Sequence, residues 1–409
     1  MNQWLILFED SGWRSLRPLT DLTPVPALAF GASNLATRLV LAAKLPLLSI
    51  EARPDAMQIW RQAPPAAGQP EPGDLVLAVN TAALPGAWLY SALQSEDLVR
   101  WQNGGCLVAA RLRADEARPG IGRGADFAAF LEGLSLPVRE AEARIIRWPW
   151  NLIEWNADAI TADLTEEAGS LLGSVHARAE ILEPERVQVE AGARIDPLAV
   201  LDARGGPIRI EAGAIVLPNT VVTGPCVVGR GSQLLGGFVG RSTIGPDCRI
   251  AGEVEECIWQ GYGNKRHHGF LGHSVIGEWV NLGALTTTSD LKNNYGTVRV
   301  WVEGREIDSG VAKIGSLIGA HAKTGIGTLL PTGGSIGVGA NLFGGGRFAP
   351  KHVPPFAWWD GDGMVEHRLD AFLRTARVAI SRRGRALDPD VEEALARLFD
   401  ETRAERASP

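Results

Sequence analysis

The sequence predicts an α/β domain, then a parallel β-helix, then a short helical tail. Three observations carry that prediction. Up to about residue 155, short apolar runs alternate with stretches of helical spacing and Pro-bounded loops. From about residue 187, apolar residues recur every six positions and Gly is abundant. After Pro350–Trp358 (PKHVPPFAW) the Gly content collapses and helix formers take over. The chain of 409 residues, with 48 Gly and 25 Pro, is long enough for two or three domains.

In the first region, residues 1–155, the runs Trp4–Phe8, Asp74–Val79 and Gly105–Ala110 read as buried parallel strands, being short, apolar and bounded by turn residues. Between them, Ala32–Ala43 and Glu96–Gly105 have helical spacing, the second ending on Gly104 and Gly105 as a C-cap does. Strands alternating with helices predict an α/β domain. Residues 156–186 are read as a linker.

The β-helix is expected over residues 187–355. Apolar residues fall at Ile210, Val216, Val222, Val228 and Leu234, then at Ile276 and Leu282. A third register runs through Ile318, Thr324, Leu330, Ile336 and Leu342. Gly commonly follows the apolar position, and a small residue such as Ala214, Cys226 or Ser232 often lies four after it. Six is neither the helical nor the strand period, so only a coil of three hexads explains it. Its interior takes the stacked aliphatic residue and its corners take the small one. The period lapses between about Ser289 and Ala312, which predicts a loop or hairpin projecting from the coil. Residues 356–409 form the tail: Glu366–Arg383 and Pro389–Arg406 each read as a helix, with Pro389 in the first turn of the second. Both are expected to cap the solenoid.

Composition removes several functions. Charged residues are 21%, hydrophobic ones 45% and the net charge is −7, which excludes bulk disorder and offers no basic stripe for nucleic acid. The apolar run before Glu9 and Asp10 is too short for a signal peptide, and no stretch of about 18 apolar residues suits a membrane span. Cys106, Cys226, Cys248 and Cys257 form no C-x-x-C pair, so neither a disulfide framework nor a zinc ribbon is expected. A cytoplasmic protein with small-molecule partners, without membrane or nucleic acid, is the expectation.

Ser15–Gly31 (SLRPLTDLTPVPALAFG) follows the first strand and resembles the signature of the sugar-1-phosphate nucleotidyltransferases. In that chemistry cationic groups and Mg²⁺ neutralise charge building on phosphoryl oxygens. The resemblance makes Arg14 and Arg17 candidate phosphate contacts. The sequence departs from the family where Glu9–Arg14 carries two acids in place of a Gly-rich turn, where Val25 holds the lysine position, and where Asn80-Thr81 replaces a metal-binding Asp.

Asn264–Gly277 (NKRHHGFLGHSVIG), followed by Glu278–Ala284, resembles the acetyltransferase half of bacterial bifunctional N-acetylglucosamine-1-phosphate uridyltransferases. The resemblance puts His267 on the catalytic base, Phe270 on a substrate-contacting aromatic and Asn281 on a buried Asn. Asn294 and Tyr295 match a following N-Y loop more loosely. Ala320 matches a residue near the pantetheine of acetyl-CoA, and Lys313 is a candidate sugar or CoA contact. Lys265 is a candidate substrate contact beside Arg249, Arg266 and Lys292, because Glu253, Glu255 and Glu256 stand near the family's basic cluster. Over most of the chain up to about residue 360 the sequence is similar to the uridyltransferase-like sugar nucleotidyltransferases, which join a divergent nucleotidyltransferase domain to a left-handed β-helix.

What the resemblance implies is CoA-dependent acyl transfer from acetyl-CoA, or another acyl-CoA, to an amino sugar phosphate or nucleotide amino sugar. An imidazole with pKa near neutrality suits the proton removal. A homotrimer with sites between neighbouring coils is implied as well. Two alternatives stand beside it: nucleotidyl transfer by the first domain with Mg²⁺, and a non-catalytic nucleotide-sugar binder or scaffold. His268 and His273, five apart, have a spacing seen among zinc ligands of gamma-class carbonic anhydrases, with His321 a conceivable third. No metal site is assigned.

Overall fold

The structure is a computed structural model and describes residues 2–165 and 169–407. The chain divides into two compact units: Met1–Leu16, Leu22–Leu28 and Ser33–Trp148 form the first, and Arg17–Asp21, Ala29–Ala32 and Pro149–Pro409 the second. Among the described residues no helix is long and apolar enough to cross a membrane.

The first unit is a six-stranded sheet in the spatial order Leu47–Glu51, Gln3–Phe8, Leu75–Asn80, Cys106–Arg113, Val99–Asn103, Val138–Glu140. Gln3–Phe8 is buried on both faces. Leu5 and Leu7 pack in one apolar cluster with the Leu35–Ala43 helix, and Ile6 and Phe8 in another with the Phe127–Gly133 helix. Asn34 caps the Leu35–Ala43 helix, its side chain accepting from the Thr37 amide. Two expectations fail here. Glu96–Gly105 is not a helix: Val99–Asn103 is a strand, and Gly104 and Gly105 turn it antiparallel onto Cys106–Arg113. Cys106–Arg113 runs antiparallel to Leu75–Asn80 as well, so it opposes its neighbours on both sides, while Val99–Asn103 and Val138–Glu140 pair in parallel beyond it.

The second unit holds the parallel β-helix, a coil of about 11 turns over residues 170–359. Its three faces are ladders of short parallel strands, the third of them ten strands long. One inward stack on that face runs Val189, Ile210, Val228, Ile244, Trp259, Ile276, Ile318, Ile336, Val353. The hexad residues read from sequence line this interior, including Val216, Leu234, Leu282 and Leu342. Trp259 fits among aliphatic rungs because Gly263 leaves room: a Cβ there would lie 2.4 Å from the indole. Thr324 is tolerated inside because its hydroxyl pairs with Thr286 at 2.7 Å.

The domain limits shift accordingly. Residues 156–186 are no linker: the Pro149–Leu164 helix runs through their first part, and strands Ser170–Leu171 and Ser174–Val175 already pair with the next coil. That helix lies on the third face, where Ile160 and Leu164 bury Val227. At the other end Ala357–Trp359 is still a coil strand, and Met364–Glu366 folds back on it antiparallel. The interruption after Ser289 is the expected hairpin, Arg299–Val302 with Arg305–Asp308. The tail forms helices Leu369–Ser381 and Pro389–Glu401, plus a short Arg403–Ala407.

Candidate functional site

The parallel strands of the first unit end at Phe8 and Asn80, where a nucleotidyltransferase would cradle phosphate on backbone amides. Here Glu9, fully buried, occupies that position. Its Oε2 accepts from the Val25 amide at 2.6 Å and its Oε1 from Arg53 Nε at 2.8 Å. Asp10 is committed too, accepting from the Gly12 amide and from Asn80 Nδ2. A divalent cation therefore finds no uncommitted carboxylate at this corner, and among the described residues no cluster of three metal-ligating side chains occurs. Mg²⁺ does not fit these residues. Two guanidinium groups lie over the Trp13 ring, Arg53 at 3.9 Å and Arg14 at 4.9 Å from its centroid. Arg14 remains exposed. Arg17, by contrast, is spent on Asp21 and Glu405 within the second unit, and those carboxylates, against the cost of burial, hold its pKa above the usual value.

In the second unit strand Asn264–Lys265 lies on the first face and Phe270–Gly272 on the second; the corner between them carries Arg266, His267 and His268, all exposed. Lys265, expected to meet substrate, instead points into the coil. It follows Ile250 on the inward stack and is 1% exposed. Its Nζ donates to the carbonyls of Ala251 at 2.8 Å and His267 at 3.1 Å, one from each of two successive corners. Burial pushes its pKa down to about 8.

The other candidates lie around the same coils. Phe270 stands outward on the second face, above Glu253. Asn281 stands outward on the first face and accepts from Asn264 Nδ2 at 2.8 Å. Asn294 and Tyr295 are exposed in the excursion, with Asn294 Oδ1 accepting from the Gly296 amide. Lys313 is exposed where the excursion rejoins the coil, bridged to Leu291. Ala320 is at the corner between third and first faces, so close to the preceding coil that a Cβ on Gly277 would come within 2.6 Å of its nitrogen. A single chain thus places His267, Asn281, Lys313 and Ala320 on different sides of the coil.

Two corner ladders escaped the sequence reading. Arg241, Glu256 and His273 all adopt positive φ at the corner between the second and third faces. Arg241 Nε meets Glu256 at 2.9 Å, Glu256 faces His273 Nε2 at 3.5 Å, and His273 Nδ1 meets Asp290 at 2.8 Å. His273 is therefore held between carboxylates. Burial opposes ionisation of Asp290, but the hydrogen bond and charge of His273 and the charge of Lys313 bring its pKa below the ordinary value. At another corner Tyr262 stacks on Trp279 at 4.5 Å, Trp279 on His321 at 6.4 Å, and Phe372 of the tail meets His321 edge-on. His321 is buried, which lowers its pKa to about 3, so it is a neutral rung of an aromatic stack. The zinc triad of His268, His273 and His321 does not assemble. The missed signal is the coil length: Glu256, His273 and Asp290 are each seventeen residues apart, one turn.

The chain is thus built in two parts, an α/β unit and a hexad coil. Residues 5–168 match a family model described as sugar nucleotidyl transferase. A bifunctional sugar-1-phosphate nucleotidylyltransferase/acetyltransferase of Sulfurisphaera tokodaii is 28% identical over 200 residues, 48% of this chain and 44% of that protein. The bifunctional protein GlmU of Methanococcus aeolicus is 28% identical over 200 residues, 47% of this chain and 42% of that protein. The matched stretch spans less than half the length of either relative. The resemblance read from the sequence holds at this level. Among solved structures, an Arabidopsis UDP-N-acetylglucosamine acyltransferase covers 57% of this chain and 92% of its own at 12% identity and a TM-score of 0.24, too slight a likeness to carry an argument.

Proposed function

We propose that the second unit transfers an acyl group from acetyl-CoA, or another acyl-CoA, to the amine of an amino sugar phosphate or nucleotide amino sugar. The observation that carries this reading is the exposed imidazole of His267 on a corner whose backbone is fixed from inside by Lys265. In the reaction the amine nitrogen attacks the thioester carbonyl, the C–S bond breaks, and CoA leaves as its thiol. His267 accepts the amine proton and returns it to the departing sulfur. Phe270 and Asn281 would contact the sugar, Asn294, Tyr295 and Lys313 its substituents, and Ala320 the pantetheine arm. Because these residues lie on different sides of one coil, a site using them all draws on more than one copy, and the working form is a cytoplasmic homotrimer. The name of the Sulfurisphaera tokodaii relative, which joins nucleotidyl and acetyl transfer, supports the same reading.

The test follows CoA thiol release from acetyl-CoA over a panel of amino sugar phosphates and nucleotide amino sugars. Turnover that His267→Ala lowers by about 10²-fold or more is expected for loss of a general base. Equal rates in the two proteins would remove His267 from the reaction. A monomer by light scattering at micromolar concentration would reject the shared site.

A second reading, nucleotidyl transfer by the first unit, is favoured by the family match over residues 5–168. The committed Glu9 and Asp10 weigh against it. Pyrophosphate release from a nucleoside triphosphate and a sugar 1-phosphate, with Mg²⁺ supplied, distinguishes the two readings. Nucleotide-sugar binding without either turnover would leave the scaffold reading.

A further inference from the structure

The outward side of the first face is a polar ladder. Successive rungs place Arg249, Asn264, Asn281, Lys323, Asn341 and Trp358 side by side, about 4.8 Å apart. Between them the inward residues alternate as a strand requires. None of these six carries a negative charge, although the chain as a whole is acidic.

Lys323 is the unusual member. It is half-buried, and burial alone pushes its pKa down to about 8. Among the described residues its only polar neighbour within hydrogen-bond reach is the His321 carbonyl, at 3.5 Å. Its neighbours in the ladder are neutral. Asn281 and Asn341 flank it in register. The charge of Lys323 lowers the pKa of both His321 and His367, burial being the larger cause for each. His367 bonds the Gly339 carbonyl through Nδ1, and His321 Nδ1 is buried, at 3% exposure for the residue, with no partner. Asn281 already accepts from Asn264 through Oδ1, which leaves its amide N–H groups for another acceptor.

An ammonium partly withdrawn from water is destabilised unless an anion or hydrogen bonds compensate it. Here the compensation within the chain is one long contact. The flanking carboxamides of Asn281 and Asn341 each bring N–H groups that can meet an acceptor with several oxygens. We propose that Lys323, flanked by Asn281 and Asn341 on the outer first face and bordered by His367, forms a binding site for a phosphate group. The ammonium supplies the charge, the two carboxamides supply neutral donors on either side, and the phosphate oxygens accept from all three. The site shares Asn281 with the proposed acyl-transfer machinery, but it does not rest on that activity, since binding is read without turnover.

The experiment titrates the full chain with inorganic phosphate and with pyrophosphate by calorimetry at pH 7.5, using acetate as the carboxylate control. Binding of phosphate or pyrophosphate is expected, weakened at least tenfold in Lys323→Met and partly retained in Lys323→Arg. Asn341→Asp places a carboxylate beside the ammonium and is expected to abolish binding by occupying it internally. Lys323→Met should melt at or above the wild-type temperature, because it removes a half-buried charge with no anionic partner, so lost binding is not lost folding. If it melts lower, the Asn341→Asp result decides. Equal affinity in Lys323→Met and wild type overturns the proposal. So does wild-type protein that binds neither probe at millimolar concentration, or that binds acetate as tightly as phosphate.

Discussion

Lys265 shows how one side chain can serve a site without touching it. Ile250 precedes it on the inward stack and Leu282 follows, so an aliphatic residue is what the position ordinarily takes. Its ammonium instead ties the carbonyls of Ala251 and His267 together from the interior. Lys265→Met fills a similar volume while leaving both carbonyls without their donor, so the corner that carries His267 should open more readily. Amide exchange over residues 266–269 is expected to quicken by about tenfold, a local opening less stable by roughly 1.4 kcal/mol, while exchange in the neighbouring coil strands stays as it was. Unchanged exchange at the corner would show that the lysine fixes nothing there. The sequence disguised this role. Fifteen residues separate Ile244 from Trp259 and seventeen separate Trp259 from Ile276, so a strict count of six loses register over this stretch. A lysine beside Arg266 and His267 then reads as a surface cation. Arg17 misled for a related reason: Glu405, which neutralises it, is 388 residues away and no local pattern announces it.

Among elements, legibility followed the length of the repeating signal. The hexads ran long enough to specify the coil, and the apolar spacing of Leu369–Ser381 and Pro389–Glu401 specified two helices. Glu96–Gly105 was too short to decide: Val99 and Trp101 are buried as a strand's alternate residues are, and Gly104 and Gly105 at positive φ serve a hairpin as well as a helix end. The excursion from Ser289 was visible as a gap in the period, but what holds its base was not. His273 closes on Asp290 as the chain leaves the coil, and Lys313 adds its charge where the chain returns. Asp290→Ala should free that base while sparing the coil. Trypsin cleavage at Lys292, Arg299 or Arg305 is expected to accelerate several-fold at neutral pH, with the β-helix strands still resistant. Because the folded pKa of Asp290 is below its unfolded value, the clamp stabilises fully above about pH 4 and fades as pH falls through the lowered value. Cleavage at the wild-type rate in Asp290→Ala would show that the hairpin is held elsewhere, such as by the stack of Trp301 on His352 at 4.9 Å.

For the molecule as a whole, the coil sets an alkaline stability profile made of opposing parts. Cys226, Cys248 and Cys257 are buried, and burial pushes each thiol up to about 12. An unfolded chain ionises its cysteines near pH 8.5, so above that pH it sheds protons that the fold retains, and stability falls. Lys265 and Lys323, pushed down to about 8, act with the opposite sign. Between about pH 8 and 10.4 the unfolded chain holds protons that the fold has released, and stability rises. Each group counts for at most about 1.4 kcal/mol per pH unit, less for Lys323, which water partly reaches. The lysine gain begins first and nearly offsets the thiol loss up to about pH 9. Above about pH 10.4 the lysine contribution is exhausted while the thiols go on losing, and Tyr262, raised by burial, adds to the loss. Urea midpoints should therefore stay level between about pH 7.5 and 9 and drop steeply beyond about 10.5. In Cys226→Ala/Cys248→Ala/Cys257→Ala the midpoint should climb between pH 8 and 10, because only the lysine contribution remains. In Lys265→Met/Lys323→Met it should decline from about pH 8.5 onward. A triple cysteine variant whose midpoint falls over that interval would mean that this coil does not hold the two lysines below their ordinary pKa.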